Sequence, residues 1–245
     1  MLKEKDIEYF NNGFSENEKF WRRLREKPDF KNKSVLDFGC GHGALCLDMA
    51  RLSPRRILGI DLEDNLLNFA KENLIKNYSY YSKIVSFKKI NLILDNIDEK
   101  FDYIVSKDTF EHSIELPKVL EKMYNLLNEG GKAYIGFGPL YNFYNGDHGR
   151  TKLYLPWLHL VFSEKFIINR LNKIKTIQVN SIQDLGLSKY SLKEYEKFFK
   201  ESKFKISFYI NNQSDHPVSF IFDFFSKINF LKEYFTYNIY CILEK

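Results

Sequence analysis

The chain has 245 residues, of which 44% are hydrophobic and 28% charged, which excludes a disordered or fibrous polymer and leaves enough apolar material for one sizeable core. The net charge is +5, but lysines are scattered among acids and only Arg22, Arg23 and Arg25 cluster, so neither a nucleic-acid surface nor a basic membrane patch is expected. Three cysteines, Cys40, Cys46 and Cys241, lack metal-site or disulfide spacing, which implies a reducing, cytoplasmic setting and no metal centre.

Residues 1–32 read as one or two helices carrying a stripe of Phe20, Trp21 and Leu24, with Pro28 ending the last turn. MLKEKDIEYF lacks the apolar core of a signal peptide, and no run in the chain is long enough to span a bilayer. The apolar run Val35, Leu36, Phe38 then predicts a buried parallel strand that ends at Gly39, Gly41 and Gly43. From Ala44 the apolar residues Leu45, Leu47, Met49 and Ala50 take helical spacing, giving strand, glycine loop and helix. A loop of this kind brings a ligand against bare backbone. In dinucleotide-binding folds a carboxylate about 20 residues later holds ribose hydroxyls, and Asp61, closing the next strand ILGID, stands there.

Leu66, Leu67, Ala70 and Leu74 line one face of the next helix, which Asp64 can cap, and KIVSFKKINL reads as the third strand. FDYIVSKDTFEHS is an apolar strand ending in a polar knot of Lys107, Asp108, Glu111 and His112. A helix from Leu116 to Leu127, stopped by Gly130 and Gly131, leads to the strand KAYIGFGPL. Four strand–helix units in succession point to a parallel sheet wound on both faces. Residues 141–190 break the rhythm with an aromatic-rich stretch read as an ordered lid. SLKEYEKFFKES is the last covering helix, FKISFYI the sixth strand and TYNIYCILEK the terminal strand. Between those two strands, a second insert over residues 213–234 places Ile221, Phe224, Phe225, Ile228 and Leu231 on one helical face that suits core packing or a homodimer contact.

VLDFGCGHG resembles the first motif of class I S-adenosylmethionine-dependent methyltransferases, with Asp37 at its acidic position and Gly39, Gly41 and Gly43 as its glycines. The dehydrogenase spacing G-x-G-x-x-G is not reproduced. The resemblance implies a single domain over residues 1–245: a helical leader (1–32), a cofactor core (33–140), a lid (141–190), and closing elements (191–245). It also implies a mostly parallel, seven-stranded Rossmann-like sheet whose last strand is antiparallel. It implies S-adenosylmethionine as cofactor and S-adenosylhomocysteine as product, held by Asp37, Gly39, Gly41, Asp61, Leu62, Asn91, Leu92, Lys107 and Asp108, with Tyr9, Phe10 or Trp21 of the leader near the methionine end. Glu111 and His112 match the Glu-His that closes the family's fourth motif.

Transfer of a methyl group to a hydroxyl is helped by a general base, and His is the usual choice near neutral pH. His148, in a glycine-flanked loop after the fifth strand, is the candidate, with Asp147 as its orienting partner, His159 in reserve and His112 at the knot. Lys107, Arg150 and Lys152 could bind a phosphate or carboxylate. The expected acceptor is a small polar molecule, a sugar or phosphate-bearing intermediate of surface polysaccharide or secondary metabolism. RNA or protein acceptors, or a non-catalytic cofactor-binding scaffold, are the alternatives. No Pro-Cys pair and no Asn/Asp-Pro-Pro-aromatic motif occurs, which sets aside two kinds of DNA methylase.

Overall fold

The computed structural model describes residues 2–174 and 178–245. Seven strands, β1 (Ser34–Phe38), β2 (Arg56–Asp61), β3 (Val85–Lys89), β4 (Phe101–Lys107), β5 (Leu127–Phe137), β6 (Lys205–Asn211) and β7 (Ile239–Glu244), make one sheet in the order β3-β2-β1-β4-β5-β7-β6. All neighbours are parallel except β7, which inserts antiparallel between β5 and β6. The doubly wound sheet with an antiparallel last strand is thus present. The chain leaves β1 toward β3 and returns to β4, so β1 and β4 flank the point where strand order reverses, the usual ligand crevice of open α/β sheets.

Alternation along each strand sends neighbouring residues to opposite faces. Leu36, Ile104, Ile135 and Leu243 pack one face under α4 (Leu116–Leu126) and α7 (Leu192–Glu201). Val35, Val105, Tyr134 and Ile242 pack the other under α1 (Glu4–Leu24), α2 (Ala44–Ala50) and α3 (Asp64–Asn77). The central strands are therefore buried on both sides, which is why their sequences read as apolar runs.

The leader is a single helix, and it stops at Leu24, ahead of Pro28, because Arg25 takes the left-handed conformation. Its Trp21 meets Phe30 and Tyr134 edge-on at 5.7 and 5.9 Å. The fourth helix ends at Leu126, before the predicted glycine stop. Residues 127–131 form an irregular start to β5, where Gly130 has φ +72° and the register against β4 shifts.

Within 141–190 the described residues form α5 (Leu158–Val161) and α6 (Glu164–Asn172) around a small core of their own, Tyr141, Ile167, Ile168, Leu171, Ile182 and Leu187. Residues 175–177 of the expected lid lie outside the described residues. The second insert is two short helices, α8 (Ser219–Ser226) and α9 (Lys232–Phe235), instead of one continuous face. Its inward ring is Phe222, 5.0 Å from Phe143, while Phe224 of the expected stripe is exposed. No described helix is long and apolar enough to cross a membrane.

Candidate active site

The loop after β1 is tied to the end of β2. Gly39 and Cys40 N–H groups donate to Ile60 O at 2.9 and 3.0 Å, and Gly41 N–H donates to Asp61 Oδ2 at 2.9 Å. The other Asp61 oxygen accepts from Glu63 N–H at 3.0 Å. The glycines serve different ends. A side chain at Gly39 would overlap Thr109, so that residue lets the loops after β1 and β4 approach. At Gly41, with φ +48°, no atom lies within 4 Å of where a Cβ would stand, so the bare backbone faces open space beside the Asp61 carboxylate. That cradle fits an adenosyl group: a carboxylate for ribose hydroxyls and a flat backbone against which the nucleoside lies.

Asp37, in contrast, is 1% exposed beneath the loop. Cys46 Sγ–H donates to its Oδ2 at 3.1 Å, and burial pushes its carboxyl up to about 7 despite the nearby Lys107 charge. It supports the loop from below and is not placed to touch a ligand. Leu62, 55% exposed, follows Asp61 at the crevice edge. Asn91 Oδ1 accepts from Ile93 and Leu94 N–H groups, forming an Asx turn after β3, while Leu92 is buried in the core.

At the end of β4, Lys107 Nζ reaches back to Asn17 Oδ1 of α1 at 2.9 Å, and burial lowers its pKa. Asp108 follows with φ +54°, its N–H bonded to Gly136 O, and burial raises its carboxyl. Asp108 lines a cavity of about 280 Å³ between the ends of β4, β5 and β7, together with Arg23, Asn145, Gln213, Ser214 and Asn238. Gly138 and Pro139, joined by a cis peptide bond, form part of its wall.

Against those two residues the chain brings Glu111 and His148, with His112 beside them. Glu111 Oε1 accepts from Gly138 N–H at 3.4 Å. His148 Nε2 lies 3.3 Å from Pro139 O and His112 Nδ1 lies 2.7 Å from Gly186 O. A carbonyl only accepts, so each of those nitrogens carries the proton, leaving His148 Nδ1 and His112 Nε2 with lone pairs. The two rings are 5.0 Å apart. Burial drives His148 down to about 4, helped by His112 and Arg150, and lowers His112 as well, so both are neutral at neutral pH. Burial, then the Asp108 charge, holds the Glu111 carboxyl well above the usual range.

Other expected members are elsewhere. His159 is 2% exposed, its Nε2 bonded to Tyr141 O at 2.7 Å, and it belongs to the packing of residues 141–190 instead of the crevice. Asp147 does not hold the His148 ring. It accepts from Gly149 and Thr151 N–H groups and the Thr151 hydroxyl, closing the turn that carries His148 at φ +52°. Lys107, Arg150 and Lys152 make no common anion seat: Lys107 serves Asn17, Arg150 donates to Leu185 O and Gly186 O, and Lys152 is exposed. Phe10 and Trp21 are core residues, whereas Tyr9 lies over His42 at 4.8 Å.

Two groups escaped the sequence reading. His42, inside the glycine motif, is clamped between Tyr9 and Phe69, the latter at 5.0 Å. Arg23 donates to Tyr240 Oη at 2.9 Å at the cavity wall, although its run Arg22, Arg23, Arg25 reads as a solvated helix face. Neither carried a local signal, since both roles depend on partners distant in the chain.

Comparison with known proteins agrees with this architecture. A family model described as a methyltransferase domain matches residues 29–137. Ribosomal protein L11 methyltransferase of Lactobacillus johnsonii is 37% identical over 107 residues, 44% of this chain and 32% of that protein. Phosphoethanolamine N-methyltransferase 2 of Caenorhabditis elegans is 32% identical over 124 residues, 50% of this chain and 27% of that one. The chain thus spans about a third or less of these curated relatives' lengths. The structure of Haemonchus contortus phosphoethanolamine N-methyltransferase 2 in complex with S-adenosyl-L-methionine superposes with a TM-score of 0.60 at 16% identity, covering 94% of this chain and 52% of that chain. With Asp61 facing the bare turn at Gly41 on a sheet of this topology, residues 29–137 are similar to the methyltransferase-domain family, and the chain has the fold of class I methyltransferases.

Proposed function

We propose that this protein transfers the methyl group of S-adenosylmethionine to a hydroxyl of a small polar acceptor, a sugar or a phosphate-bearing intermediate. The observation that carries the cofactor half is the Asp61 carboxylate on the Gly41 N–H beside open space. Gly39, Gly41, Asp61 and Leu62 form its adenosine side, and Lys107 and Asp108 stand toward its methionine side, where Asn17 and Tyr9 of α1 also lie. The cofactor supplies an activated methyl on a sulfonium sulfur. The polar wall of the 280 Å³ cavity, with Arg23 at one side, supports a polar acceptor of limited size. Phosphoethanolamine N-methyltransferases among the relatives carry a phosphate acceptor in their name, which accords with a phosphate-bearing substrate here.

The reaction is an in-line displacement. The acceptor oxygen forms a bond to the methyl carbon, the carbon–sulfur pair returns to sulfur, and the hydroxyl proton must leave. Holding the reactants in line can contribute about 7–11 kcal/mol. A neutral imidazole lone pair suits the proton, and His148 Nδ1 is the candidate acceptor, with His112 adjacent. An amine acceptor, an ammonium at neutral pH, would also have to give up a proton before attack, so the same lone pair would serve it.

Calorimetry with S-adenosylhomocysteine on wild type and Asp61→Ala, followed by methyl-label transfer from S-adenosylmethionine into small-molecule, RNA and protein fractions of cell extract, tests the proposal. Binding that requires Asp61, and label in the small-molecule fraction that falls in His148→Gln, is expected. Label in RNA or protein would move the acceptor class. Binding without transfer to any fraction would leave a cofactor-binding scaffold.

A further inference from the structure

We propose that Glu111, His112 and His148 form a seat for one divalent transition-metal ion of the zinc type, with an open coordination position for the acceptor. The proposal rests on the acceptor reading above and adds a component to it. Each of the three residues offers one ligand atom, and these atoms lie within 4.8 Å of one another. They come from the loop after β4 and the turn after β5, so they meet only in the folded chain.

The protonation pattern is the one a metal requires. His112 gives Nδ1–H to Gly186 O and His148 gives Nε2–H to Pro139 O, so the remaining nitrogen of each ring has a lone pair. Backbone carbonyls that fix a tautomer in this way are the usual outer support of metal-bound imidazoles. Glu111 is 4% exposed and its Oε2 is buried without a hydrogen-bond partner. A buried carboxylate oxygen left unsatisfied is costly, and a cation among the same three side chains would satisfy it.

The charged neighbours do not fill that place. Arg150, whose charge acts on Glu111, gives its Nη1 donors to Leu185 O and Gly186 O at 2.6 and 2.8 Å. Asp108, the other charge acting on Glu111, adds negative potential. Two imidazoles and one carboxylate are the donor set of open, three-ligand zinc sites and also suit iron, cobalt or nickel, whereas magnesium prefers an all-oxygen shell. In a tetrahedral zinc site the ligand atoms stand about 3.4 Å apart, so a rotation that moves them by roughly 1 Å closes the seat.

Glu111 bonds Gly138 N–H and His148 faces Pro139 O, and Gly138 and Pro139 are shared with the acceptor cavity. An ion there would take the His148 Nδ1 lone pair and would replace that base by polarising the acceptor hydroxyl so that its proton passes to solvent; without the ion, His148 Nδ1 accepts the proton itself.

The experiment uses the full chain stripped of metal by chelation and titrated with Co²⁺, read by visible d–d absorption, with Zn²⁺ competition by calorimetry. One Co²⁺ per chain, displaced by Zn²⁺, is expected. Glu111→Gln, His112→Ala and His148→Ala should each weaken binding by more than the 10–100-fold typical of losing an outer-shell partner. His216→Ala, at an exposed histidine, should not. Each variant is checked for retained S-adenosylhomocysteine binding, which reports folding, and Asp61→Ala should lose the nucleoside yet keep Co²⁺. Absence of stoichiometric binding, or binding that persists in all three ligand variants, overturns the metal seat while leaving the cofactor reading intact. Loss of nucleoside binding by wild type would instead sink the methyltransferase reading.

Discussion

Gly39 and Gly41 look alike in sequence and do opposite work. A side chain at Gly39 collides with Thr109, whereas one at Gly41 projects into open space, where the proposed cofactor's nucleoside would lie. Gly41→Ala should therefore cost only about 1–2 kcal/mol of stability through its left-handed backbone, yet weaken S-adenosylhomocysteine binding by roughly tenfold or more. Gly39→Ala should show the reverse emphasis, a larger loss on urea unfolding. At His148 the lone pair is available because burial keeps the ring neutral. In NMR of the metal-free protein its ring signals should titrate with a midpoint near 4 instead of the ordinary 6.5. His148→Gln should lower kcat by about 10²–10⁴-fold while leaving cofactor affinity nearly unchanged.

Among the elements, α1 links the leader to the site in two ways. Trp21 fills the core against Phe30 and Tyr134, and Asn17 anchors Lys107 at the end of β4. Trp21→Ala should destabilise the fold by about 3–5 kcal/mol, measured by denaturant unfolding, since a large buried ring leaves a cavity. Asn17→Ala should instead act on the site, weakening cofactor binding through a loosened Lys107. The segment SLKEYEKFFKES was legible as a helix, and in the structure Ser191 and Glu194 close its start as a capping box. The two short helices of residues 213–234 were not, because Phe222 turns inward to partners contributed by residues 143–144 and 235–237.

For the molecule as a whole, buried ionisable groups set opposing pH dependences. Asp37 has a folded value of about 7 against an ordinary 3.8, so across that window the folded chain holds the proton more tightly than the unfolded one. Its contribution to stability is complete below the unfolded value and is lost as pH rises through about 7. His148 is depressed from 6.5 to about 4, so its contribution is present above 6.5 and is lost as pH falls through about 4. Asp37→Asn should thus gain stability relative to wild type as pH rises from about 4 to about 7, seen by comparing urea midpoints at the two ends.

The parallel strands, the covering helices and the pairing of a glycine turn with Asp61 were determined by the sequence alone. Apolar runs, helical periodicity and a turn that needs bare backbone are local requirements, each satisfied by residues close in the chain. Which candidates share a site was decided only by tertiary structure. Asp37 went beneath the loop and His159 into the packing of residues 141–190, while Glu111, His112 and His148 met one another, two of them against Gly138 and Pro139. The reason is physical: a side chain's surroundings depend on which strands are neighbours and which way each loop leaves the sheet, and that order is set by the burial of both sheet faces at once.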